Sequence, residues 1–223
     1  MLYLISTPIG NLEDISPRAV RALSEADYLL VEDSRVTGNL LKNLEIDQRM
    51  VPFHAHNEHK KLDSILGDLQ ASKNIGLVSD AGTPGISDPG FLLVRACRQS
   101  NLQVTAIPGP TAVITALSIS GIPCDRYFFE GFLPHKKGRK KRLEFLSQLP
   151  ETFVLFESPY RVKKCLKELK DHCGPTRLAA ICRELTKLHE EVLYGELSEL
   201  AAIYEDQKAP RGEFVLVVEG NKA

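Results

Sequence analysis

The stretch IGLVSDAGTPGISDPG, residues 75–90, decides the fold of this chain. Residues 75–79 form an apolar run of strand length, and a helical pattern follows Gly90. The connection between them, residues 79–90, is rich in glycine, proline, serine and aspartate. A strand-to-helix connection usually spans about two to six residues. A longer one, whose glycines admit a close approach and whose prolines stiffen it, predicts a ligand-binding loop.

Strand-like runs alternate with helical patterns around this loop. Leu62, Ile65, Leu66 and Leu69 are spaced to share one face of a helix. The strand candidates of the first half are residues 2–6, 28–32, 50–53, 75–79 and 104–107. This alternation predicts an α/β fold with a mostly parallel sheet and helices on both faces.

A second α/β domain is expected after the glycine- and proline-containing stretch at residues 118–125. We therefore predict an N-terminal domain over residues 1–118 and a C-terminal domain over residues 119–223. Residues 196–205 form a helical pattern. The strand candidates of this domain are residues 127–130, 152–156, 178–182, 191–194 and 213–218. The hairpin-like spacing of the later strands predicts a mixed sheet.

Three pairs of residues place a capping side chain directly before a proline at the start of a helical pattern. They are Ser16-Pro17, Asp88-Pro89 and Ser158-Pro159. Each pair follows a strand, so these helices should begin at the carboxyl edge of a sheet, where open α/β sheets bind ligands. The loops at residues 7–11 and 108–112 also follow strands. Together with residues 79–90, they predict a ligand cleft at one sheet edge.

Composition narrows the class of protein. The net charge is −1, 43% of the residues are hydrophobic, and no apolar run reaches the roughly 18 residues of a membrane span. Because no basic stretch precedes residues 2–5, we expect no signal peptide and a cytoplasmic location. The five cysteines show no C-x-x-C pair, which favours reduced, structural thiols. His54, His56 and His59 resemble a metal cluster, but Asn57 is a plausible helix cap, a turn facing the substrate cleft fits better, and we expect no metal.

One segment is strongly basic. Residues 135–142 read HKKGRKKR in a chain that is otherwise slightly acidic. Cations near the N-terminus of a helix oppose its dipole, and an anionic partner would offset this placement. The segment therefore predicts contact with RNA phosphates, although a solvated helix start is the simpler interpretation.

Seven motifs together resemble one family, the tetrapyrrole methylases, which are class III S-adenosylmethionine-dependent methyltransferases. The match is to its members that methylate ribosomal RNA. The motifs are STPIGNLEDIS (6–16), SDAGTPGISDPG (79–90), IPGPTAVITALSISGIP (107–123), FEGFLP (129–134), FESPYRV (156–162), CRELTK (182–187) and GEFVLVVEG (212–220). The resemblance implies a cofactor cleft between two α/β domains, a homodimer, and methylation of a cytidine 2′-hydroxyl in small-subunit (16S) ribosomal RNA.

The resemblance also implies site residues. Ala81 and Thr83 replace the glycine and aspartate of the family's loop, so that part of the match is loose. Cofactor contacts are expected from Pro8, Ala81, Gly82, Thr83, Pro84, Ile86, Thr111, Ala112 and Phe156.

The proposed reaction needs few chemical groups. The enzyme must hold the ribose oxygen about 3 Å from the methyl carbon, and a carboxylate could accept the hydroxyl proton. Glu184 and Glu157 are the candidates for this catalytic role. RNA contacts are expected from Lys136, Lys137, Arg139, Lys140, Arg183 and Lys187. Two alternatives stay open, a methylase acting on a tetrapyrrole or a protein side chain, and a cofactor- or RNA-binding module without turnover.

Overall fold

The computed structural model describes residues 1–205 and 210–222. The chain divides into two compact units, Met1–Thr111 and Ala112–Ala223, which we call unit 1 and unit 2. The domain boundary predicted from the sequence, after Ser118, lies within the helix Ala112–Ile119 and stays a prediction.

Unit 1 alternates strands and helices throughout. Its five strands form one sheet in the order β3-β2-β4-β1-β5, and every pair is parallel. All the strands therefore end at the same edge, the carboxyl edge of unit 1. The elements are β1 (Leu2–Ile5), α1 (Pro17–Glu25), β2 (Tyr28–Val31), α2 (Ser34–Asn43), β3 (Met50–Pro52), α3 (Glu58–Gln70), β4 (Ile75–Val78), α4 (Phe91–Gln99) and β5 (Val104–Ile107).

Both faces of this sheet are covered, which explains why its central strands are apolar at every position. Neighbouring residues of β2 point to opposite faces, so Leu30 packs in one hydrophobic cluster and Leu29 in the other. The first cluster includes Ile65 and Leu69 of α3, and the second includes Leu23 of α1. The sheet is thus fixed between two layers of helices.

Unit 2 contains a mixed sheet in the order β6-β7-β10-β8-β9. The strands β6 and β7 are parallel, and the other three neighbouring pairs are antiparallel. It follows that β6, β7 and β8 all end at one edge, the carboxyl edge of unit 2. The elements are α5 (Ala112–Ile119), β6 (Tyr127–Phe132), α6 (Arg139–Ser147), β7 (Thr152–Glu157), α7 (Val162–Cys173), β8 (Leu178–Arg183), β9 (Glu191–Glu196), α8 (Leu197–Glu205) and β10 (Phe214–Val218).

One of the three predicted helix caps is confirmed. The Ser16 side chain accepts a hydrogen bond from the backbone N–H of Ala19, and α1 begins at Pro17. The other two are wrong in their details. The helix α4 begins at Phe91, and the buried Glu58 carboxylate accepts from the backbone N–H of Leu93 there. The helix α7 begins at Val162, and the Ser158 hydroxyl accepts from the guanidinium of Arg161 instead.

Gly76 lies where two buried side chains approach the centre of β4. A Cβ at this position would lie 2.5 Å from Leu29 Cδ2 and 3.0 Å from Ile5 Cδ1. We expect Gly76→Ala to lower the free energy of unfolding by about 1–3 kcal/mol through overpacking. Urea unfolding would measure this. The matched control is Gly67→Ala in α3, where no atom lies within 4 Å and alanine should raise stability by about 0.5–1 kcal/mol. Equal effects of the two substitutions would contradict the packing account.

Candidate functional site

Three loops leave the carboxyl edge of unit 1 side by side. We call them loop A (residues 6–11), loop B (residues 79–90) and loop C (residues 108–111), which follow β1, β4 and β5. A two-way backbone pairing joins loops A and B. The N–H of Thr7 donates to Gly82 O over 2.9 Å, and the N–H of Gly82 donates to Thr7 O over 3.1 Å. Gly82 has a φ of +78°, a left-handed conformation that favours glycine.

Hydroxyl groups extend this connection to loop C. The Thr83 hydroxyl donates to the backbone oxygen of Pro110 over 3.3 Å. Its single proton is then used, so the 2.9 Å contact between the hydroxyls of Ser6 and Thr83 has Ser6 as the donor. Gly109 permits the close approach, because a Cβ there would lie 2.9 Å from Ser6 Cβ. The three loops therefore form one hydrogen-bonded unit.

The predicted cofactor residues of unit 1 lie on these loops or directly after them. Ala81 and Ile86 are exposed, whereas Gly82 and Pro84 are buried and support the loop from below. The remaining three, Pro8, Thr83 and Thr111, are half-buried, as is Ala112 at the first position of α5. The sequence pattern thus located a real cluster of loops, and the cofactor contacts of its single residues stay predictions.

Carboxylates give this edge a negative potential. Glu32 follows β2 and Asp80 follows β4, the neighbouring strand. Burial, together with the nearby Asp88 and Asp80, raises the pKa of Glu32 above its ordinary value. Burial also raises the pKa of Asp88, against a hydrogen bond from Ser79 that lowers it. Like charges held together in this way favour binding of a cation.

The carboxyl edge of unit 2 carries the basic segment, and the structure divides its charges into two groups. Arg139 is 5% exposed, and its Nε donates to Glu168 Oε2 over 2.8 Å. Arg142 Nε donates to Glu130 Oε1 over 2.7 Å. The second group consists of exposed lysines, namely Lys136, Lys137, Lys140 and Lys141. The prediction that Arg139 contacts RNA is therefore corrected, because its charge is used inside unit 2.

Glu157 has a similar internal role. Its side chain is fully buried, and Oε1 lies 2.9 Å from Arg161 Nη2 and accepts from the backbone N–H of Ser158. Arg139 Nη2 lies 3.7 Å from Glu157 Oε2, and Arg139 Nη1 donates to the backbone oxygen of Pro134. A carboxylate enclosed by two guanidinium groups has no access to a substrate hydroxyl. We therefore remove Glu157 from the candidate bases.

Glu184 and Lys187 form a compact turn after β8. Glu184 Oε1 accepts from Lys187 Nζ over 2.9 Å and from the backbone N–H of Glu213 over 2.9 Å. Although burial opposes it, these hydrogen bonds keep the pKa of Glu184 below its ordinary value. A lower pKa makes a weaker base, so the geometry supports a positioning role. Arg183 is engaged as well, since its Nε donates to the backbone oxygen of Arg211.

Phe156 packs within an aromatic cluster at the same edge. Its ring centroid lies 5.2 Å from that of Phe129 and 5.6 Å from that of Phe132. That it also contacts the cofactor stays a prediction.

Asn57 precedes α3 but makes no side-chain cap hydrogen bond, and its side chain instead closes the histidine-rich turn. His54 Nε2 lies 3.0 Å from Asn57 Nδ2, and the Asn57 side chain accepts from the backbone N–H of His54. Within residues 1–205 and 210–222, no group of three or more histidine, cysteine, aspartate or glutamate side chains is placed to hold a metal ion. All five cysteines are free thiols. None of the helices in the described part of the chain combines the length and hydropathy needed to cross a membrane.

Comparison with known proteins identifies the family of this chain. The family model of tetrapyrrole (corrin/porphyrin) methylases matches residues 1–201. The chain belongs to the tetrapyrrole methylase family. Two relatives of this methylase are both named ribosomal RNA small subunit methyltransferase I. The protein from Escherichia coli O157:H7 is 46% identical over 100% of this chain and 78% of its own length. The protein from Synechocystis is 47% identical over 99% of this chain and 79% of its own length.

Solved structures agree on the fold of the methylase. Uroporphyrin-III-C-methyltransferase from Thermus thermophilus has a TM-score of 0.65 at 20% identity, over 97% of this chain and 93% of that one. The methyltransferase CobJ has a TM-score of 0.69 at 19% identity, over 98% and 93% of the two chains. The predicted two-domain α/β fold, with a parallel and a mixed sheet, is confirmed.

Sequence reasoning missed the residues that connect the loops of the methylase. The sequence patterns indicate only a strand end at Ser6 and at Glu32 and a turn at Thr7. A usable signal was present, because each lies directly at the carboxyl end of a predicted strand. The pairing of Thr7 with Gly82 had no such signal, since it depends on the order of strands in the sheet.

The Glu184 turn gives a prediction on pH. A lowered folded-state pKa means that the carboxylate stabilises the fold above the ordinary value of 4.5 and loses this contribution as pH falls through the folded pKa. Glu184→Gln should cost roughly 1–2 kcal/mol at pH 7, and the difference from the parent should shrink below about pH 4.5. Urea unfolding from pH 7 to pH 3 measures this. The control is Glu25→Gln, which removes an exposed carboxylate of α1 in unit 1 and should leave the free energy of unfolding nearly unchanged. A difference that is constant across this range would contradict the assignment.

Proposed function

We propose that this methylase transfers a methyl group from S-adenosylmethionine to a ribose 2′-hydroxyl of a cytidine in small-subunit (16S) ribosomal RNA. One observation carries the proposal: relatives named ribosomal RNA small subunit methyltransferase I align with nearly the whole chain at 46–47% identity. The proposal includes a cytoplasmic location, where ribosomal subunits are assembled, and a homodimer, as the family resemblance implies.

The loops of unit 1 fit the proposed cofactor. Ala81 and Ile86 are exposed, and the left-handed Gly82 between β4 and Thr83 joins loop B to loop A. The negative potential from Glu32, Asp80 and Asp88 suits a cofactor with a positive sulfonium centre. Bound there, S-adenosylmethionine would supply an electrophilic methyl group, so no covalent enzyme intermediate is required. We propose that Pro8, Ala81, Gly82, Thr83, Pro84, Ile86, Thr111, Ala112 and Phe156 hold it.

The chain's own contribution to the reaction is orientation. Loops A, B and C are connected before any ligand arrives, so little conformational freedom is lost on binding. Holding the reacting oxygen and the methyl carbon in line supplies a large part of the acceleration. Glu184 acts by fixing the turn that presents Arg183 and Lys187, because its lowered pKa makes it a poor proton acceptor.

RNA contact is assigned to the lysines of unit 2. Lys136, Lys137, Lys140 and Lys141 are exposed within one segment, and the Lys140 side chain is 82% exposed. Exposed ammonium groups bind phosphates as mobile point charges, which gives affinity without base specificity. Lys187 is held between Glu184 and Glu213. To contact an RNA phosphate, Lys187 must leave one of these carboxylates or bind the phosphate while it stays paired.

The Thr83 hydroxyl provides a test of the cofactor loops. Thr83→Val keeps the shape of the side chain but removes the contacts to Ser6 and Pro110, whereas Thr83→Ser keeps the hydroxyl. We expect Thr83→Val to weaken S-adenosylmethionine binding roughly 5- to 10-fold, which corresponds to the loss of about one hydrogen bond. Thr83→Ser should bind the cofactor nearly as tightly as the parent does. Isothermal titration calorimetry measures both. Equal affinities of the two variants would show that the loop connection does not support the cofactor site.

Methyl transfer tests the RNA part of the proposal. The assay would follow labelled methyl groups from S-adenosylmethionine into small ribosomal subunits that lack the modification. Lys136→Gln/Lys137→Gln should raise KM, keep kcat, and lower the salt dependence of binding by about one charge for each lysine. The control, Lys42→Gln/Lys167→Gln, removes two exposed lysines elsewhere in the fold and should behave as the parent does.

Two outcomes of the same assay would overturn the proposal. Cofactor binding without transfer to ribosomal RNA, but with transfer to a tetrapyrrole or a protein, would redirect the acceptor. Cofactor binding without transfer to any acceptor would indicate a binding module.

A further inference from the structure

Two large aromatic side chains are exposed at the carboxyl edge of unit 2. Phe132 is 56% exposed at the last position of β6, and Tyr160 is 94% exposed in the turn between β7 and α7. Neither ring is used in the core of unit 2. Exposed aromatic side chains that share one edge of a sheet offer apolar surface on which another molecule can bind.

The sheet brings these two residues to the same edge. The strands β6 and β7 are parallel, and Phe132 pairs in register with Phe156, the last residue but one of β7. The Phe132 ring leans on the Phe156 ring at a centroid distance of 5.6 Å and an interplanar angle of 58°. Tyr160 follows Phe156 by four positions along the chain. Phe132 is therefore supported from below, and one of its faces stays open.

The backbone under both rings is fixed by buried charges. Arg161 Nη2 lies 2.9 Å from Glu157 Oε1, and Arg161 Nε donates to Ser158 Oγ, so the turn that carries Tyr160 is closed on both sides. Arg139 donates to the backbone oxygen of Pro134, two residues after Phe132. A surface held in this way loses little conformational entropy when a ligand stacks on it.

The positive charge beside the rings indicates which class of ligand binds there. The exposed Lys136 and Lys137 follow Phe132 within five residues, and Lys140 and Lys141 come next. Aromatic rings next to a row of cations match a chain of phosphates that carries flat, unpaired bases. A symmetric contact of two copies through this patch would bring the lysines of both copies together, and this repulsion disfavours it.

We propose that Phe132 and Tyr160 form a stacking surface for unpaired bases of RNA, with the neighbouring lysines holding the phosphates. The inference rests on the proposed function and adds to it the form of the substrate. Bases in a continuous duplex are already stacked on each other, so this surface selects a segment of ribosomal RNA that is single-stranded or opened.

The test uses the full-length protein and a single-stranded RNA 12-mer that carries 2-aminopurine, whose fluorescence is quenched when it stacks. Its control is the same sequence as a blunt duplex. We expect quenching and tighter binding with the single strand. Tyr160→Ala and Phe132→Ala should each weaken binding about 5- to 150-fold and reduce the quenching, with an unchanged salt slope.

Conservative and distant variants separate stacking from misfolding. Tyr160→Phe keeps the ring and should retain both affinity and quenching. Tyr127→Ala removes an aromatic side chain that is 41% exposed at the opposite end of β6, and it should bind as the parent does. The Tyr160 and Tyr127 variants should keep the parent's melting temperature and affinity for S-adenosylmethionine.

The outcomes distinguish this inference from the proposed function. Parent-like KM for small subunits and parent-like quenching in the Phe132→Ala/Tyr160→Ala variant would overturn the stacking surface while methyl transfer stands. A change of oligomeric state in that variant, measured by sedimentation, would overturn it in favour of a contact between copies. A parent protein that neither binds the 12-mer nor transfers methyl groups to ribosomal RNA would remove the proposed function and the inference together.

Discussion

The site in unit 1 depends on the backbone pairing between Thr7 and Gly82. It exists because β1 and β4 are adjacent and parallel, so that their loops leave the sheet at the same edge. Gly82 must adopt a positive φ for the pairing to form, and Thr83 then reaches Pro110 in loop C. Without this pairing loop B would lose its backbone connection to loop A, and the exposed Ala81 would not be held beside Pro8 at this edge.

Unit 2 uses a different constraint at its own carboxyl edge. Buried charges are costly, and Glu157 is accompanied by two arginines: Arg161 pairs with its Oε1, and Arg139 lies 3.7 Å from its Oε2, beyond hydrogen-bond distance. Arg139 also holds the loop after β6 through the backbone oxygen of Pro134. The arrangement is better explained as a means of fixing geometry than as a source of stability. It withdraws one arginine from the basic segment, and it leaves the lysines and the aromatic rings of Phe132 and Tyr160 at the surface.

Much of the fold could be predicted because the signals are local. Apolar runs bounded by turn residues located the strands to within two residues at their ends, and the three loops after β1, β4 and β5 followed from them. The sequence predicted helix caps at Asp88 and Ser158 that the structure does not contain. Local patterns could not show this, because the contacts that Glu58 and Arg161 make there depend on the tertiary fold. The inward position of Arg139 could have been predicted, since it precedes the buried Leu143 by four residues and the buried Leu146 by seven and so shares their helix face.

The central claim is that a ribose oxygen of ribosomal RNA receives the methyl group. The most direct measurement is nucleoside analysis of small-subunit RNA after methyl transfer from labelled S-adenosylmethionine. The account predicts that the label elutes as 2′-O-methylcytidine and that the linkage on its 3′ side resists alkaline cleavage, because a blocked 2′-oxygen cannot attack the phosphate. Label recovered on a base, or in a nucleoside whose 2′-hydroxyl is still open to alkaline cleavage, would contradict it.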